Sequence, residues 1–307
     1  MGISQTPHDG LTVDDLLKNA DMAMYSAKNK GKNRYEFCSE PIKKAAFENM
    51  TVSNRLHRAI EQDELFVYYQ PQINLSTGNI VGVEALLRWK LSDQGFIPPS
   101  VFIPIAEQTR LILPVGEWVL REACKQLSLW EKMGLDSLRL AVNISGIQIT
   151  NSNIVKCVRD VLIEYAISPE QLEIEITESI ALVQNPYIND TLNALKKLGV
   201  KISIDDFGKE YSSLSRLKEL PFDRIKLDMC FVHGLGSNSK DEAITRSVIL
   251  LAANLGVDII AEGVETKEQF EFLRNEKCTE VQGYYLYKPM PAHDLEDILL
   301  KIKNQIN

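Results

Sequence analysis

Carboxylate and amide side chains recur near the carboxyl ends of short apolar segments from residue 80 onward. They are Glu84, Asn143, Glu175 with Glu178, Asp205 with Asp206, Glu262 with Glu265, and Gln282. If these segments are strands of one barrel, the side chains meet at one mouth, where so many carboxylates repel one another unless cations compensate. Oxygen donors without His or Cys suit hard divalent ions such as magnesium, manganese or calcium. The pattern therefore predicts a divalent-metal site.

Two basic residues indicate what such a site would act on. Lys226 interrupts the apolar stretch Ile225–Leu227 and would face the acids. There it either donates to an attacking water or a phosphate oxygen, or serves as a structural ion-pair partner. Arg88 can present its planar fork to a phosphate, or pack its stem under Trp89. Together with the acids, these residues predict a metal-dependent hydrolase that acts on a phosphate ester.

Two of the acidic patterns also have simpler interpretations. Glu173 and Glu175 alternate with apolar residues and would point into a barrel, unless they lie on the solvated face of an exposed strand. Asp205 and Asp206 could share two ions, because one carboxylate can bridge them while its neighbour ligates the second. The alternative is a helix N-cap or a turn. Recurrence of polar residues at the ends of several strands favours the metal site over both.

Composition excludes several classes of protein. The 307 residues carry 42 acidic and 34 basic side chains, a formal charge of −8, so we expect no general attraction to DNA, RNA or an anionic membrane. The four histidines lack zinc-hydrolase spacing, and the five cysteines lack ligand spacing and fit reduced thiols. No apolar run approaches the roughly 18 residues of a membrane span. We therefore expect a cytoplasmic protein without membrane contact.

Eight strand-like segments with helical patterns between most of them predict the elements that position these residues. The segments are 64–74, 80–89, 137–145, 171–178, 200–207, 224–228, 257–264 and 280–287. Amphipathic stretches lie around 116–133, 153–165, 187–198, 241–255 and 292–304. Only residues 76–79 separate the first two strands, which is a hairpin and not a helical crossover. The predicted fold is α/β, a modified TIM-type (β/α)8 barrel whose first strand runs antiparallel to the rest.

The motifs of this barrel resemble those of the EAL-domain phosphodiesterases of bacterial cyclic-di-GMP signalling. They are VEALLRW at 83–89, YYQP at 68–71, VNIS at 142–145, EITES at 175–179, DDFG at 205–208, YSSL at 211–214, IKLD at 225–228, AEGVE at 261–265 and QGYYLYKP at 282–289. So many motifs in order make the resemblance specific. It implies that a water activated by divalent metal opens cyclic-di-GMP to linear 5′-pGpG. A catalytically silent cyclic-di-GMP receptor is the alternative.

The resemblance also implies roles for individual residues. Two magnesium or manganese ions would be held, the first by Glu84, Asn143, Glu175 and Asp205 and the second by Asp205, Asp206 and Glu262. Glu84, Lys226 and Glu262 would be catalytic, with Lys226 orienting the water, and Glu178 would brace the loop after Asp206. Substrate contacts would come from Gln70, Leu86, Arg88, Asp228, Glu265 and Gln282. Calcium is expected to inhibit, and a homodimer through the EAL domain is expected.

Two further features complete the sequence-based expectations. Residues 1–40 resemble the last strand and helix of a GGDEF domain, which divides the chain into a remnant at 1–40, a helical linker at 41–51 and an EAL domain at 52–307. The loop after the paired aspartates reads DDFGKEYSSL, whereas active family members usually read DDFGTGYSSL. Lys209 and Glu210 therefore replace Thr and Gly, which puts the turnover rate and dimer-linked regulation in question without removing a predicted ligand.

Overall fold

The computed structural model describes residues 1–31, 33–135, 138–151, 153–209 and 214–306. These residues form two compact units. The first contains residues 1–62 and 100–111, and the second contains residues 63–99 and 112–307. The predicted site residues all belong to the second unit.

The first unit contains a small parallel sheet and three helices. Its elements are β1 (Gly2–Ile3), α1 (Val13–Asn29), β2 (Glu36–Phe37), α2 (Glu40–Ala59) and α3 (Pro99–Gln108). β1 pairs in parallel with β2. Thr12 caps α1 because its side chain accepts a hydrogen bond from the backbone of Asp15. α2 is one continuous helix across residues 51 and 52.

The second unit is built on a closed, mixed eight-stranded barrel with one extra strand. The strands are β3 (Leu65–Asn74), β4 (Ile80–Leu91), β5 (Gly95–Ile97), β6 (Arg139–Asn143), β7 (Leu172–Thr177), β8 (Lys201–Phe207), β9 (Arg224–Leu227), β10 (Asp258–Ala261) and β11 (Glu280–Val281). Their order around the barrel is β3-β11-β10-β9-β8-β7-β6-β4, and β3 closes the ring against β4. β3 pairs antiparallel with both neighbours. β5 only extends the edge of β4.

Helices connect most of the parallel strands and cover the barrel, as their buried apolar faces require. They are α4 (Ile112–Lys132), α5 (Gly146–Ile149), α6 (Ile154–Tyr165), a 3-10 helix (Pro169–Gln171), α7 (Glu178–Ala181), α8 (Pro186–Leu198), α9 (Leu214–Leu217), α10 (Met229–Val232), α11 (Ser239–Leu255), α12 (Lys267–Asn275) and α13 (Ala292–Ile306). Among the described residues, no helix combines the length and apolarity that a membrane crossing requires.

The last barrel strand is shorter than the sequence predicts. A strand is expected over 280–287, but β11 ends at Val281. Gly283 lies so close to the backbone of Val264 that a Cβ there would come within 2.1 Å of its carbonyl oxygen. The chain then turns, and the amide of Tyr287 donates to the carbonyl of Gly283 at 3.0 Å. The QGYYLYKP segment is therefore a loop at the barrel mouth, because its glycine permits a close approach that an extended strand with a Cβ cannot make.

Candidate active site

A buried lysine lies at the centre of the acidic cluster. The ammonium of Lys226, which β9 directs into the barrel, is 2.6 Å from Glu175 Oε2 and 2.8 Å from Glu262 Oε1. Asp205 Oδ1 lies at 3.4 Å and Glu84 Oε1 at 3.7 Å. Four acidic side chains that are far apart in the sequence therefore contact one ammonium group at the mouth formed by the carboxyl ends of the parallel strands.

The strand register explains why these residues meet. Glu175 lies beside Asn143 across the β6–β7 pair, and Gln70 lies opposite Glu84 across the β3–β4 hairpin. In parallel strands that begin at one mouth of the barrel, the later residues lie at the other mouth. Inward-pointing positions alternate along each strand. Antiparallel β3 reaches the same level with Gln70, near the middle of the strand.

An amide network fixes the carboxylate of Glu84. Asn143 Nδ2 donates to Glu84 Oε1 at 2.7 Å, and Gln282 Nε2 donates to Glu84 Oε2. Gln282 also donates to Gln70 Oε1 at 3.0 Å and accepts from Gln72 Nε2 at 3.1 Å. Both oxygens of Glu84 are thereby held in place by donors on two other strands or loops.

Burial and charge together shift the pKa values of the cluster. Burial raises the pKa of Glu175 well above its ordinary value and that of Glu262 to about 8, despite the attraction of Lys226. The pKa of Asp205 is raised for the same reason. At Glu84, burial works in the same direction, but Lys226 and the two amide donors outweigh it and lower the pKa. The pKa of Lys226 is raised, because four carboxylates outweigh its burial.

The donor set fits hard divalent cations in chemistry and in charge. One ammonium cannot neutralise four carboxylates, and the buried Glu175 Oε1 has no hydrogen-bond donor among the described residues. Oxygen donors of this kind suit magnesium or manganese. The carboxylates lie around the ammonium, and no group of three or more His, Cys, Asp or Glu side chains in the described part of the chain is arranged to hold a metal ion as it stands.

The end of β8 and the loop that follows it have an unusual backbone. Asp206 has a φ of 57°, a left-handed conformation that Asp tolerates better than most residues, and its amide donates to Asp205 Oδ1 at 2.8 Å. Gly208 has a φ of 99°, and a Cβ there would lie 2.6 Å from the ring of Phe231. The amide of Gly208 donates to Glu178 Oε2 at 2.8 Å. Glu178 therefore contacts the loop directly.

Lys209 joins two of the predicted site residues. Its ammonium lies 2.7 Å from Asp206 Oδ1 and 2.8 Å from Asp228 Oδ2. The other oxygen of Asp228 accepts from the amide of Cys230 and caps α10. Glu210, the second departure from the usual family loop, lies outside the described residues.

A cavity of about 270 Å³ opens above the cluster. Its lining includes many of the predicted site residues, namely Gln70, Glu84, Leu86, Asp205, Glu262, Glu265 and Gln282. Tyr284 and Met229 add an exposed apolar surface. Asn143 contacts Glu84 of this lining, Lys226 contacts Glu84 and Glu262, and Glu175 contacts Lys226. The arrangement can present oxygen ligands and one ammonium to a phosphate ester that enters from the mouth.

Arg88 is turned to partners on its own hairpin. Its guanidinium donates to the carbonyl of Leu87 at 2.9 Å and lies 5.7 Å from the centre of the Tyr68 ring. Among the described lining residues of the cavity, Arg88 does not occur. The sequence analysis does not predict Gln72 as a site residue, although Gln70 and Gln72 alternate along one strand and share a face. It does not predict Tyr284 either, although Tyr284 lies in the same motif as Gln282.

Comparisons with known proteins identify the family to which the chain belongs. The EAL domain family matches residues 53–289. MucR of Pseudomonas aeruginosa, a bifunctional diguanylate cyclase/cyclic di-GMP phosphodiesterase, is 42% identical over 96% of this chain and 43% of its own length. The cyclic di-GMP phosphodiesterase NbdA of the same organism is 36% identical over 97% of this chain and 38% of its own length. The chain thus spans less than half the length of these curated relatives.

A solved structure shows the same similarity. The phosphodiesterase PaMucR in complex with c-di-GMP superimposes with a TM-score of 0.78 at 42% identity, covering 80% of this chain and 99% of that one. An EAL domain of Listeria monocytogenes superimposes with a TM-score of 0.69 at 32% identity, covering 80% of this chain and 96% of that one. From its barrel, its motifs and these relatives, the chain belongs to the EAL domain family.

Proposed function

We propose that this chain hydrolyses cyclic-di-GMP to linear 5′-pGpG with the help of two divalent ions. The observation that carries the proposal is the surplus of negative charge at the mouth, where four buried or half-buried carboxylates contact the single ammonium of Lys226. A purely structural ion pair does not require surplus negative charge. A site that binds cations, which in turn bind a phosphodiester, does require it. Relatives named as cyclic di-GMP phosphodiesterases support the choice of substrate.

The proposed ion ligands follow the family motifs. Glu84, Asn143, Glu175 and Asp205 would hold one ion, and Asp205, Asp206 and Glu262 would hold the second. Magnesium and manganese are the proposed ions, and calcium is proposed to inhibit because its looser coordination positions ligands less strictly. When bound, the two ions supply an activated water and neutralise charge on the attacking and leaving oxygens.

The chain's own residues position the reacting groups. In the proposed mechanism Lys226 donates a hydrogen bond to the attacking water or to a phosphoryl oxygen, and stabilises negative charge as the phosphorus becomes five-coordinate. Asn143 and Gln282 keep both oxygens of Glu84 in one orientation. Glu178 holds the amide of Gly208, two residues after Asp206, and with it the loop that begins there. These fixed contacts reduce the reorganisation that the reaction requires.

The proposed substrate contacts divide into two groups. Gln70, Leu86, Glu265 and Gln282 line the cavity and can contact the nucleotide from their present positions. Arg88 would have to exchange its hydrogen bond to the Leu87 carbonyl for a phosphate. Asp228 is engaged by Lys209 and by the cap of α10. Tyr284 offers an exposed ring on which a guanine base can stack.

Two further proposals concern the parts outside the site. We assign residues 1–40 to the end of a GGDEF domain, because the parallel β1–α1–β2 unit fits such a segment and the similarity to MucR extends beyond residues 53–289. A homodimer through the EAL domain is proposed from the family resemblance alone.

The test is a nucleotide-hydrolysis assay with a metal series. Purified protein is incubated with cyclic-di-GMP and magnesium, manganese, calcium or EDTA, and the nucleotides are separated by chromatography. Linear pGpG with magnesium or manganese, and none with EDTA or with Glu84→Gln, supports the proposal. Binding of cyclic-di-GMP without any linear product over hours would indicate a receptor instead.

A further inference from the structure

Lys209 makes two ion pairs at the edge of the site that the usual family loop, with threonine at this position, cannot make. The ammonium lies within 2.8 Å of one oxygen of Asp206 and one of Asp228. Both acids belong to the set predicted from the sequence, Asp206 as a metal ligand and Asp228 as a substrate contact. The ammonium of Lys209 therefore already contacts Asp206, the acid that is expected to bind a divalent cation from solution.

The surroundings of Asp206 make this contact matter. Asp206 follows Asp205 directly, and its amide donates to the Asp205 carboxylate, so the two acidic side chains are held close together. The positive φ of Asp206 fixes the direction in which its side chain leaves the end of β8. A cation bound at Asp206 and the ammonium of Lys209 would share that carboxylate and repel each other.

Lys209 can also move away without losing all of its partners. Its side chain is 47% exposed, whereas that of Asp228 is only 3% exposed and is anchored at the start of α10. If the Asp206 carboxylate turns to another cation, the ammonium keeps the ion pair with Asp228. The contact is thus reversible and is not a permanent block.

We infer that the ammonium of Lys209 competes with a divalent cation for the carboxylate of Asp206. It thereby raises the metal concentration at which this site fills. The inference rests on the proposed two-ion function and deepens it. Lys209, which departs from the usual family loop, would control the affinity for metal, while all the predicted ligands are retained.

The test measures manganese binding without nucleotide. Free Mn²⁺ is counted by electron paramagnetic resonance during titration of the metal-free full chain and of the variants Lys209→Met, Lys209→Gln and Lys209→Arg. The matched control is Lys201→Met, which removes a lysine of similar exposure that pairs with Asp223 at the opposite mouth. This control changes the net charge equally but leaves the loop intact.

The expected result is a tighter second Mn²⁺ site in the two neutral variants. Its dissociation constant should fall about five- to twentyfold in Lys209→Met and Lys209→Gln, the size expected when a half-exposed ion pair and a nearby positive charge are removed. Lys209→Arg and Lys201→Met should stay within about twofold of the parent. In EDTA, Lys209→Met should melt at a lower temperature, and Mn²⁺ should raise its melting temperature more than that of the parent.

Several outcomes would overturn the inference. Unchanged Mn²⁺ binding in Lys209→Met would show that the ammonium does not compete, and weaker binding would show that it positions Asp206 for the metal. A response of Lys201→Met equal to that of Lys209→Met would reduce the effect to net charge, and no Mn²⁺ binding by any variant would remove the site. Hydrolysis of cyclic-di-GMP at saturating Mn²⁺ is measured separately, so loss of the proposed function is distinguished from loss of the competition.

Discussion

At the mouth that carries Glu84, one ammonium faces four carboxylates, whereas at the opposite mouth two guanidinium groups face two buried carboxylates. The second cluster consists of Arg139, Arg224, Glu173 and Glu280. Arg139 Nε lies 2.8 Å from Glu173 Oε2, and its Nη2 lies 2.6 Å from Glu280 Oε2. Arg224 contacts the same two acids.

The difference between the two mouths is one of charge balance. The two arginines and two glutamates of the arginine cluster carry no net charge, and the pKa of Glu280 is lowered because Arg224 and Arg139 outweigh its burial. In the lysine cluster burial raises the pKa values of Glu175, Asp205 and Glu262, and the attraction of the single ammonium of Lys226 does not outweigh it. Removing one partner from a balanced buried cluster destabilises a fold, whereas the unbalanced cluster is the place where we propose that cations bind.

Glu175→Gln gives the largest expected effect on activity. The variant removes a proposed metal ligand and one surplus charge, so hydrolysis of cyclic-di-GMP should fall at least about 100-fold. The protein should remain folded and, in EDTA, melt no lower than the parent, because a buried charge with a raised pKa has been removed. Chromatographic assay and thermal melting check both points, and a marked loss of stability would contradict the comparison.

Glu173→Gln is the matched variant at the other mouth, two residues earlier on β7. It leaves the two arginines undercompensated, and we expect the free energy of unfolding to fall by about 3 kcal/mol. Activity per folded molecule should stay close to that of the parent. Denaturant titration and the hydrolysis assay measure the two quantities. If both glutamate variants lose activity and keep stability, the two clusters do not differ as described.

Acid should weaken the arginine cluster in a predictable direction. The folded-state pKa of Glu280 is lowered, so its contribution to stability is complete above its ordinary value of 4.5 and is lost as pH falls through the lower folded value. Glu280→Gln should therefore flatten the decline of stability below pH 4.5. Denaturant titrations of parent and variant between pH 3 and 7, at about equal ionic strength, provide the measurement, and parallel curves would contradict the assignment.

Gly208→Ala gives the smallest expected effect and tests the loop after β8, beside the acidic cluster. A Cβ at a φ of 99° and 2.6 Å from Phe231 should cost about 1–2 kcal/mol of stability, and displacement of the loop should reduce hydrolysis about tenfold. Gly78→Ala in the β3–β4 turn is the control, because its φ is 73° and no atom lies within 4 Å of its Cβ. It should lower stability by a similar strain energy and leave hydrolysis unchanged.

Much of the fold follows from local patterns in the sequence. Each of the eight predicted strands overlaps a barrel strand, because alternating and apolar runs report directly on burial. The four-residue separation at 76–79 predicts a hairpin, and β3 and β4 pair as one. The predicted end of the last strand, at residue 287, is wrong. The strand ends early because Gly283 approaches Val264 closely, and no local pattern encodes that contact.

The site divides in the same way. Glu84, Asp205, Lys226 and Glu262 are brought together as strand positions alone predict. Alternation places Glu173 and Glu175 on one face, but it cannot assign them to opposite mouths, since depth in the barrel depends on the stagger of neighbouring strands. The orientation of Arg88 and the ion pairs of Lys209 depend on rotamers and on the positive φ at Asp206, which residue types do not determine.

The amide network around Gln282 has a consequence for how the barrel assembles. Gln70 and Glu84 meet within one hairpin, which forms locally and fast. Gln282 is 198 residues beyond Glu84 in the chain and 212 beyond Gln70, and it joins both across the seam where the ring closes. A long-range contact of this kind forms late, after much chain entropy has been lost. A growing chain on the ribosome therefore completes this amide network only after the last strand has emerged, so the proposed metal and nucleotide binding would appear only once the barrel has closed.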